Sequence, residues 1–321
     1  MGKIVFRNVT KTFQGFEAVR DISFQVREGE TLVLIGTSGC GKTTTLKMMN
    51  RLVEPTSGLI QMAGKNISEY DLIVLRRSIG YVIQSVGLFP HMTIEKNIGV
   101  VPELMGWPKK RISARVRELL TMVGLDPDTY RMRYPVELSG GQQQRIGVAR
   151  ALAADPPVVL MDEPFGALDP ITREQLQNEF LGLVQEIRKT IVFVTHDIFE
   201  AVKLADRLAL MDKGQIIQIG TPKEIIEAPA NKYVVDFLGR QYFQLALLMT
   251  KLDEIMAAPG TVETQAALAS RPLSPDDTVL DALNYFKLHK TDTVPVKGKE
   301  KGLAGIVSKD SVRKTIFEGL L

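Results

Sequence analysis

The stretch "TLVLIGTSGCGKTTTLKMMN", residues 31–50, decides the fold of this chain. An apolar, strand-like run ends in a glycine-rich loop, and a helix-like run follows it. The loop fits the pattern G-x-x-x-x-G-K-[ST], with Gly36, Gly41, Lys42 and Thr43 at the defining positions. A strand, this loop and a helix in that order predict a phosphate-binding P-loop within an α/β fold.

The residue types of the loop suit a phosphate chain. Glycines let backbone N–H groups turn towards phosphate oxygens, and the N-terminus of the following helix favours an anion. Lys42 adds a positive charge, the Thr43 hydroxyl can ligate Mg²⁺, and a side chain at Gly41 would crowd the phosphates. The motif and its flanks together favour a nucleotide site over a Gly/Ser-rich turn that happens to precede a helix. We therefore expect these loop residues to bind the nucleotide: Gly36, Thr37, Ser38, Gly39, Cys40, Gly41, Lys42, Thr43 and Thr44.

Length and composition indicate a globular protein. The chain has 321 residues, enough for two domains, with 45% hydrophobic and 24% charged residues. Its one cysteine excludes a disulfide framework and fits a reducing compartment. No apolar stretch approaches the ~20 residues of a membrane span, and the N-terminus lacks the apolar region of a signal peptide, so we expect no export. A net charge of +3 is typical of a solvated mixed surface and favours no class of partner, and we expect no nucleic-acid partner.

The patterning along the chain changes twice. Residues 3–35 alternate like short strands, and residues from about 90 to 155 are typical of helices. Two buried-strand runs follow, "PPVVLMD" and "TIVFVT", each succeeded by helical sequence, as in a parallel α/β sheet. Within "RISARVRELLTMVGL" one helical face collects the apolar residues Ile112, Val116, Leu119, Leu120 and Val123.

A second phosphate-facing loop is predicted by "LSGGQQQR", residues 138–145. Ser139 supplies a hydroxyl, Gly140 and Gly141 expose backbone N–H groups, and a helix begins here whose N-terminus favours an anion. Taken alone, the stretch is also typical of a Ser N-cap followed by flexible glycines.

Two further signals lie at the ends of the buried-strand runs. In "VVLMDEPFGALD" an apolar strand ends in Asp162 and Glu163, at the edge of the sheet where ligands bind in open α/β folds. Asp162 there could orient Mg²⁺ and Glu163 could polarise a water molecule, unless the two form only a solvated acidic strand end. His196 ends "TIVFVTH" at the same edge, although a lone histidine in such a place is more often structural than catalytic.

Together and in this order, these four signals resemble the nucleotide-binding subunit of ABC transporters over residues 1 to about 240. The resemblance implies an α/β P-loop ABC ATPase domain with a mixed sheet core and a helical subdomain at about 90–155. It implies ATP and Mg²⁺ as ligands, with Thr43, Gln84 and Asp162 at the metal. It also implies catalytic roles for Glu163 and His196, the latter as the switch histidine.

The remaining family positions also have counterparts in this sequence. Ala167 to Asp169 match the D-loop, and Gln84 matches the Q-loop glutamine that contacts Mg²⁺ and the membrane partner. Phe13 lies where the family stacks an aromatic residue, more often Tyr, on adenine. The signature residues Ser139, Gly140, Gly141 and Gln142 would contact the ATP held by a second copy, because the family forms head-to-tail dimers.

The resemblance also implies partners and a location. These are a homodimer of ATPase subunits, transmembrane permease subunits and, indirectly, a solute-binding protein, with the chain peripheral at the cytoplasmic face of the plasma (inner) membrane. The permease would contact "QSVGLFPHMTIEKNI", residues 84–98, in which Leu88 and Phe89 fit either core packing or a groove for a coupling helix.

Three stretches resemble ATPases of bacterial osmoprotectant importers, which take up glycine betaine, choline, carnitine or proline. They are residues 35–58, 75–98 and 133–156. The ATPase never touches the solute, so an importer of another small solute, such as an amino acid or a sulfonate, is the alternative.

Residues 241–321 resemble a small α+β domain with one CBS motif, over "PLSPDDTVLDALNYFKLHKTDTVPVKGKEKGLAGIVSKDSVRKTI". CBS motifs normally pair, so the motif pairs across a dimer or a first copy has degraded. Asp310 stands one residue out of register after Ser308 for the nucleotide-binding version, and nucleotide binding here is not expected.

The charges of this tail sum to zero, so only the local run "KGKEK", residues 297–301, suggests a membrane contact, and a solvated hairpin turn is the alternative. The tail binds a ligand, senses ionic strength or only braces a dimer, and the sequence leaves these alternatives open.

Two function classes other than an importer motor predict features that differ from those of this sequence. A soluble ABC ATPase of DNA repair or translation predicts a long coiled-coil insertion or a second ATPase in the chain, and the sequence has neither. A regulatory binding module with an inactive ATPase conflicts with the presence of Glu163 and His196.

Overall fold

The computed structural model describes residues 4–84, 87–166, 168–257, 272–298 and 303–319. The chain divides into two compact units, Met1–Ile225 and Ile226–Leu321. The sequence predicts a domain boundary near residue 240, and that boundary stays a prediction.

The first unit contains ten strands and nine helices among its described residues. The strands are β1 Ile4–Phe13, β2 Phe16–Val26, β3 Thr31–Gly36, β4 Ser57–Met62, β5 Lys65–Asn66, β6 Ile79–Val82, β7 Val158–Asp162, β8 Thr190–Val194, β9 Arg207–Asp212 and β10 Gln215–Gly220. The helices are α1 Lys42–Met49, α2 Leu72–Arg77, α3 Ile94–Leu104, α4 Lys109–Met122, α5 Pro127–Tyr130, α6 Gly140–Leu152, α7 Pro170–Ile187, α8 Ile198–Leu204 and α9 Pro222–Glu227, the last of which spans the division between the units.

A four-stranded antiparallel sheet is formed in the order β2-β1-β4-β5. A two-residue turn joins β1 to β2, and it sets Phe13 opposite Phe16. Both turn residues, Gln14 and Gly15, have positive φ angles, 46° and 86°, as the tight hairpin turn that matches strand twist requires. The inner face of this sheet contributes to the main apolar core, where the rings of Phe6 and Phe24 stack at 4.5 Å.

The six-stranded sheet has the order β10-β9-β3-β8-β7-β6 and is mixed, as predicted. The five strands from β9 to β6 run parallel, and β10 pairs antiparallel at the edge. Every residue of β3, β7 and β8 is buried, which explains why these runs are continuously apolar rather than alternating.

The register of this sheet gathers three loops at one edge. Val194 of β8 pairs with both Leu34 of β3 and Asp162 of β7, so the three strands end at the same level. The loops that follow them therefore emerge side by side at the carboxyl edge, where open α/β sheets bind ligands.

Helices α3 to α6 occupy the region predicted to be helical, residues 90–155. On the predicted apolar face of α4, Val116, Leu119 and Leu120 are buried, as is Val123 just after the helix, and Ile112 is half-buried. Helix α6 begins at Gly140 with Ser139 as its N-cap.

The second unit contains a helix, two strands and a final helix over the CBS-like motif. Its elements are α10 Lys232–Leu238, α11 Tyr242–Met249, α12 Val279–His289, β11 Thr293–Lys297, β12 Leu303–Ser308 and α13 Lys309–Gly319. Strand β11 pairs antiparallel with β12, and Leu273 forms a parallel bridge to Val296 in place of a full first strand. This unit has an apolar core of its own, in which Val279, Val294 and Val307 are fully buried. Residues 299–301 of the "KGKEK" run lie outside the described residues.

No helix within the described part of the chain combines the length and the apolar character needed to cross a membrane.

Candidate active site

The glycine-rich loop leaves the carboxyl end of β3 and leads into α1. A Cβ atom at Gly36 would come within 2.2 Å of the Met211 carbonyl oxygen, and one at Gly41 within 2.5 Å of the Ala18 carbonyl oxygen. Both residues also have positive φ angles, 150° and 108°. Backbone packing therefore requires glycine at the two defining positions of the motif.

The Lys42 side chain is buried inside this loop. Its Nζ donates hydrogen bonds to the carbonyl oxygens of Gly36 at 2.7 Å and Thr37 at 2.9 Å. The Cys40 sulfur lies 3.7 Å from the same Nζ, and burial raises the pKa of this thiol. The loop thus holds a cation in place, surrounded by its own backbone.

The start of α1 is tied to the end of β7. Thr43 Oγ1 donates to Asp162 Oδ1 at 2.9 Å. Burial raises the pKa of the Asp162 carboxyl, while the Thr43 bond and the charges of Lys47 and Lys42 oppose that rise. A hydroxyl and a carboxylate placed together are oxygen ligands of the kind Mg²⁺ prefers.

Glu163 follows Asp162 in an unusual backbone conformation. Its φ angle is 45°, in the left-handed region, and its N–H donates to the Val194 carbonyl oxygen at 2.9 Å. Its Oε2 accepts a hydrogen bond from Gln84 Nε2 at 3.0 Å and lies 3.4 Å from His196 Nδ1. Three residues that are far apart in the sequence therefore meet at one carboxylate oxygen.

A buried network, not predicted from the sequence, lies behind His196. Glu200 of α8 is 4% exposed and accepts from Gln177 Nε2 of α7 at 3.1 Å. Burial raises the pKa of Glu200, and its hydrogen bonds with Thr195 and Gln177 oppose the rise. This carboxyl thus links the end of β8 to α7. An acidic residue at a core-facing position of a helix, in "THDIFEA", was the available signal.

These elements enclose a cavity of about 750 Å³ at the carboxyl edge of the sheet. The predicted residues that line it are Phe13, Ser38, Gly39, Gly41, Lys42, Thr43, Thr44, Gln84, Glu163 and His196. Four of the residues predicted on the P-loop and β7 do not line the cavity. Three of them contact the Lys42 side chain, namely Gly36, Thr37 and Cys40. The fourth, Asp162, accepts a hydrogen bond from Thr43.

Phe16 and Ala18 also line this cavity, and sequence reasoning missed both. Phe16 stands opposite Phe13 across the hairpin turn, and Lys11 Nζ lies 4.7 Å from the centre of the Phe13 ring. The repeated aromatic in "FQGF" around a two-residue turn would have indicated the pair.

The "LSGGQ" residues Ser139, Gly140, Gly141 and Gln142 are absent from the lining of this cavity. Ser139 and Gln142 instead form a capping box: the Gln142 N–H donates to Ser139 Oγ at 3.3 Å, and the Ser139 N–H donates to Gln142 Oε1 at 3.0 Å. Ser139 and Gly140 are exposed at the start of α6. Ala167, predicted to belong to the D-loop, lies outside the described residues.

Comparisons with known proteins agree with this geometry. Residues 19–166 match the family model for ABC transporters, and residues 271–318 match the model for the CBS domain. The glycine betaine/carnitine/choline transport ATP-binding protein OpuCA of Bacillus subtilis is 48% identical over 307 residues, which cover 95% of this chain and 78% of that protein. The sulfate/thiosulfate import ATP-binding protein CysA of Pseudomonas aeruginosa is 46% identical over 240 residues, covering 74% of this chain and 72% of that protein.

Among solved structures, the dimeric post-hydrolysis state of the ATP-binding cassette MJ0796 bound to ADP and Pi is similar with a TM-score of 0.62. The two are 32% identical, and the match covers 68% of this chain and 98% of that one.

Proposed function

The chain belongs to the ABC transporter ATP-binding proteins, and we propose that it is the ATP-hydrolysing subunit of a bacterial importer. The solutes of this importer are quaternary-amine osmoprotectants, such as glycine betaine, choline and carnitine. The observation that supports the motor role is that Gln84 Nε2 and His196 Nδ1 both lie within 3.4 Å of Glu163 Oε2, in the cavity that the P-loop lines.

The solute class is supported by how far the relatives align. OpuCA and CysA are almost equally identical to this chain over the residues that each match covers, so identity alone does not distinguish their solutes. The OpuCA match covers 95% of the chain, against 74% for CysA, and so includes much more of the tail. Import of another small solute, such as an amino acid or a sulfonate, is the second candidate, because the ATPase does not contact the solute.

The site fits a nucleotide and Mg²⁺. Glycines at 36 and 41 keep side chains out of the loop, and Lys42 is already held as a cation within it. Thr43, Asp162 and Gln84 are the residues that would hold the metal, and Phe13 would stack on adenine. Mg²⁺, when bound, neutralises phosphate charge.

In hydrolysis Glu163 serves as the general base. Its Oε2 accepts the proton of the attacking water, while Gln84 and His196 orient the carboxylate from two sides. His196 is 62% exposed at its side chain and Glu163 is 21% exposed, so the base is shielded while the histidine remains open to the cavity.

The functional site requires two copies of the chain. The residues lining the cavity include none from "LSGGQ", and Ser139 and Gly140 are exposed on α6. A head-to-tail homodimer would bring the exposed N-terminus of α6 of one copy to the P-loop of the other, where its free N–H groups would face phosphate.

A groove of about 330 Å³ next to Gln84 suits a cytoplasmic helix of the permease. Phe89 is 40% exposed there, and its backbone is fixed by Asn97, whose Oδ1 accepts from the Phe89 N–H at 2.8 Å. Arg76, Arg77 and Arg150 also line it. An apolar wall with three guanidinium groups favours a helix with apolar and acidic residues. Phe89 therefore fits the groove rather than the core, and Leu88 is half-buried.

Docking to such a permease would place the chain at the cytoplasmic face of the membrane as a peripheral subunit. The CBS-like unit would act in regulation or as a dimer brace. Ser308 and Ser311 cap α13 reciprocally, at 3.0 and 3.1 Å, so these hydroxyls serve the helix end. This supports a role other than nucleotide binding for the tail.

The proposal is tested by purifying the chain with its membrane partners and reconstituting the complex in liposomes. We expect a solute-binding protein to co-purify and glycine betaine, choline or carnitine to stimulate ATP hydrolysis, with sulfate as the matched control. Stimulation by sulfate alone would exclude the osmoprotectant assignment, and a chain that co-purifies with no membrane subunit would favour a soluble ATPase.

A further inference from the structure

A second cavity, of about 630 Å³, lies away from the ATP site between α4, α6 and α7. Its wall is mainly apolar, formed by the side chains of Met122, Val123, Val148, Phe165, Leu176, Phe180 and Leu183. Neither the P-loop nor the residues around Glu163 and His196 line it, apart from Phe165 on the loop after β7. Its volume is in the range of small-molecule sites.

One buried amide among the lining residues has no hydrogen-bond partner. Gln144 is 4% exposed, and its Nε2 makes no hydrogen bond. It is the one buried side-chain polar atom without a partner in the described lining. Nε2 is fully covered in this structure, so the Gln144 side chain has to rotate to reach a ligand, and a ligand that supplies an acceptor then satisfies this unpaired donor.

The charged groups of the wall are already neutralised. Arg145 Nη2 pairs with Glu179 at 2.8 Å, and Arg145 Nη1 donates to the Val123 carbonyl oxygen at 3.0 Å. Gln175 Nε2 donates to the same Glu179 carboxylate at 3.1 Å. No charge in the described lining is left to attract an ion, so the chemistry of the cavity favours an uncharged molecule.

We propose that this cavity binds a neutral, mainly apolar molecule carrying a hydrogen-bond acceptor, such as a carbonyl oxygen, with Gln144 Nε2 donating to that acceptor. The apolar wall gives affinity through burial, and the single amide orients the ligand.

The position of the cavity couples it to the ATP cycle. Helices α6 and α7 pack closely at the first turn of α6, where a Cβ atom at Gly141 would meet Thr172 Cγ2 at 2.8 Å, and both helices then line the cavity. A ligand would contact α6, which begins with "LSGGQ", and Phe165, two residues after Glu163. Binding would therefore change the rate of turnover as a secondary effect.

Benzophenone is a suitable probe, because it is neutral, apolar and carries one carbonyl oxygen. Under ultraviolet light it inserts into nearby C–H bonds, so peptide mass spectrometry of the irradiated full-length protein maps the site directly. We expect saturable labelling of Met122 and of the α7 peptide. Met105 and Met132, which are 44% and 59% exposed, report non-specific labelling in the same sample.

Gly182→Leu adds a bulky side chain at an exposed position of the lining, where a Cβ atom meets no heavy atom within 4 Å, and so obstructs the cavity. We expect it to abolish saturable labelling, while Asn178→Leu, the same side chain on an exposed position of α7 outside the lining, leaves labelling unchanged. Gln144→Leu keeps the size and removes the donor, and should raise the half-saturating concentration by about two- to tenfold.

Circular dichroism confirms that each variant is folded. Labelling of Met122 that never exceeds that of Met105 and Met132 overturns the proposal, as does equal labelling in the Gly182 and Asn178 variants. If the Gly182 variant fails to fold, the wild-type saturation curve and the Gln144→Leu variant test the proposal instead. A saturation curve that Gln144→Leu leaves unchanged overturns the role of Gln144 as the hydrogen-bond donor.

Discussion

Replacing Glu163 with Gln should leave ATP binding intact and nearly abolish hydrolysis. The glutamine has the same size, and its oxygen can still accept from Gln84 Nε2, which lies 3.0 Å from the carboxylate in the native chain. What is lost is the ability to take a proton from water. Removal of a general base costs about 10²- to 10⁴-fold in rate, equivalent to about 2.7–5.4 kcal/mol of barrier.

The assay compares phosphate release with nucleotide binding in the purified full-length protein. We expect kcat to fall by that factor, the Kd for ATP to stay within about twofold of wild type, and an ATP-bound dimer to accumulate. Glu69→Gln, an identical change at an exposed position outside the cavity, is the matched control and should behave as wild type. A Glu163→Gln variant with near-normal turnover would refute the reasoning and move the base elsewhere, with His196 as the next candidate.

Three further predictions concern the dimer, the buried carboxyl and the tail. Mixing a Lys42→Ala chain with a Ser139→Ala chain should restore ATP-dependent dimer closure measured by light scattering, since a head-to-tail heterodimer keeps one site with both loops intact; no recovery at any mixing ratio would contradict the shared site. Burial raises the pKa of Glu200, so the folded state binds the Glu200 proton more tightly than the unfolded state does. The stability that this proton contributes is therefore lost as the pH rises from the unfolded pKa of about 4.3 through the raised pKa of the folded state. Glu200→Gln should therefore become more stable relative to wild type across that window, and a pH-independent difference in urea midpoint would argue against it. A chain truncated near residue 240 should still hydrolyse ATP, but the ATPase activity of the reconstituted importer should depend less on salt concentration. If the salt titrations of the intact and truncated importers coincide, the tail has no role in salt sensing and remains a dimer brace.

The local parts of the site were predictable from the sequence. Gly36, Gly41 and Lys42 belong to one contiguous loop, and the close approaches at 2.2 and 2.5 Å explain why the motif requires glycine. The end of β7 at Asp162 and the place of His196 just after β8 were also predictable, because buried parallel strands are continuously apolar and end where polarity resumes.

Contacts between distant segments were not predictable from patterning. The bond from Gln84 to Glu163 joins residues 79 positions apart, and that from Gln177 to Glu200 joins residues 23 apart, through the tertiary packing of different elements. The first bond depends on the register in which Val82 of β6 pairs with Met161 of β7, and the second depends on the packing of α7 against α8, neither of which a local pattern contains. Family resemblance supplied the role of Gln84, but nothing comparable pointed to Glu200.

The left-handed backbone of Glu163, with φ at 45°, has an evolutionary consequence. Glutamate pays about 1–2 kcal/mol for this conformation, whereas glycine adopts it freely and asparagine does so more readily than most residues. A duplicated copy of the gene released from the need to turn over ATP would gain stability by replacing this glutamate with glycine or asparagine. The residue found at position 163 in such a copy therefore reports whether selection for hydrolysis has persisted.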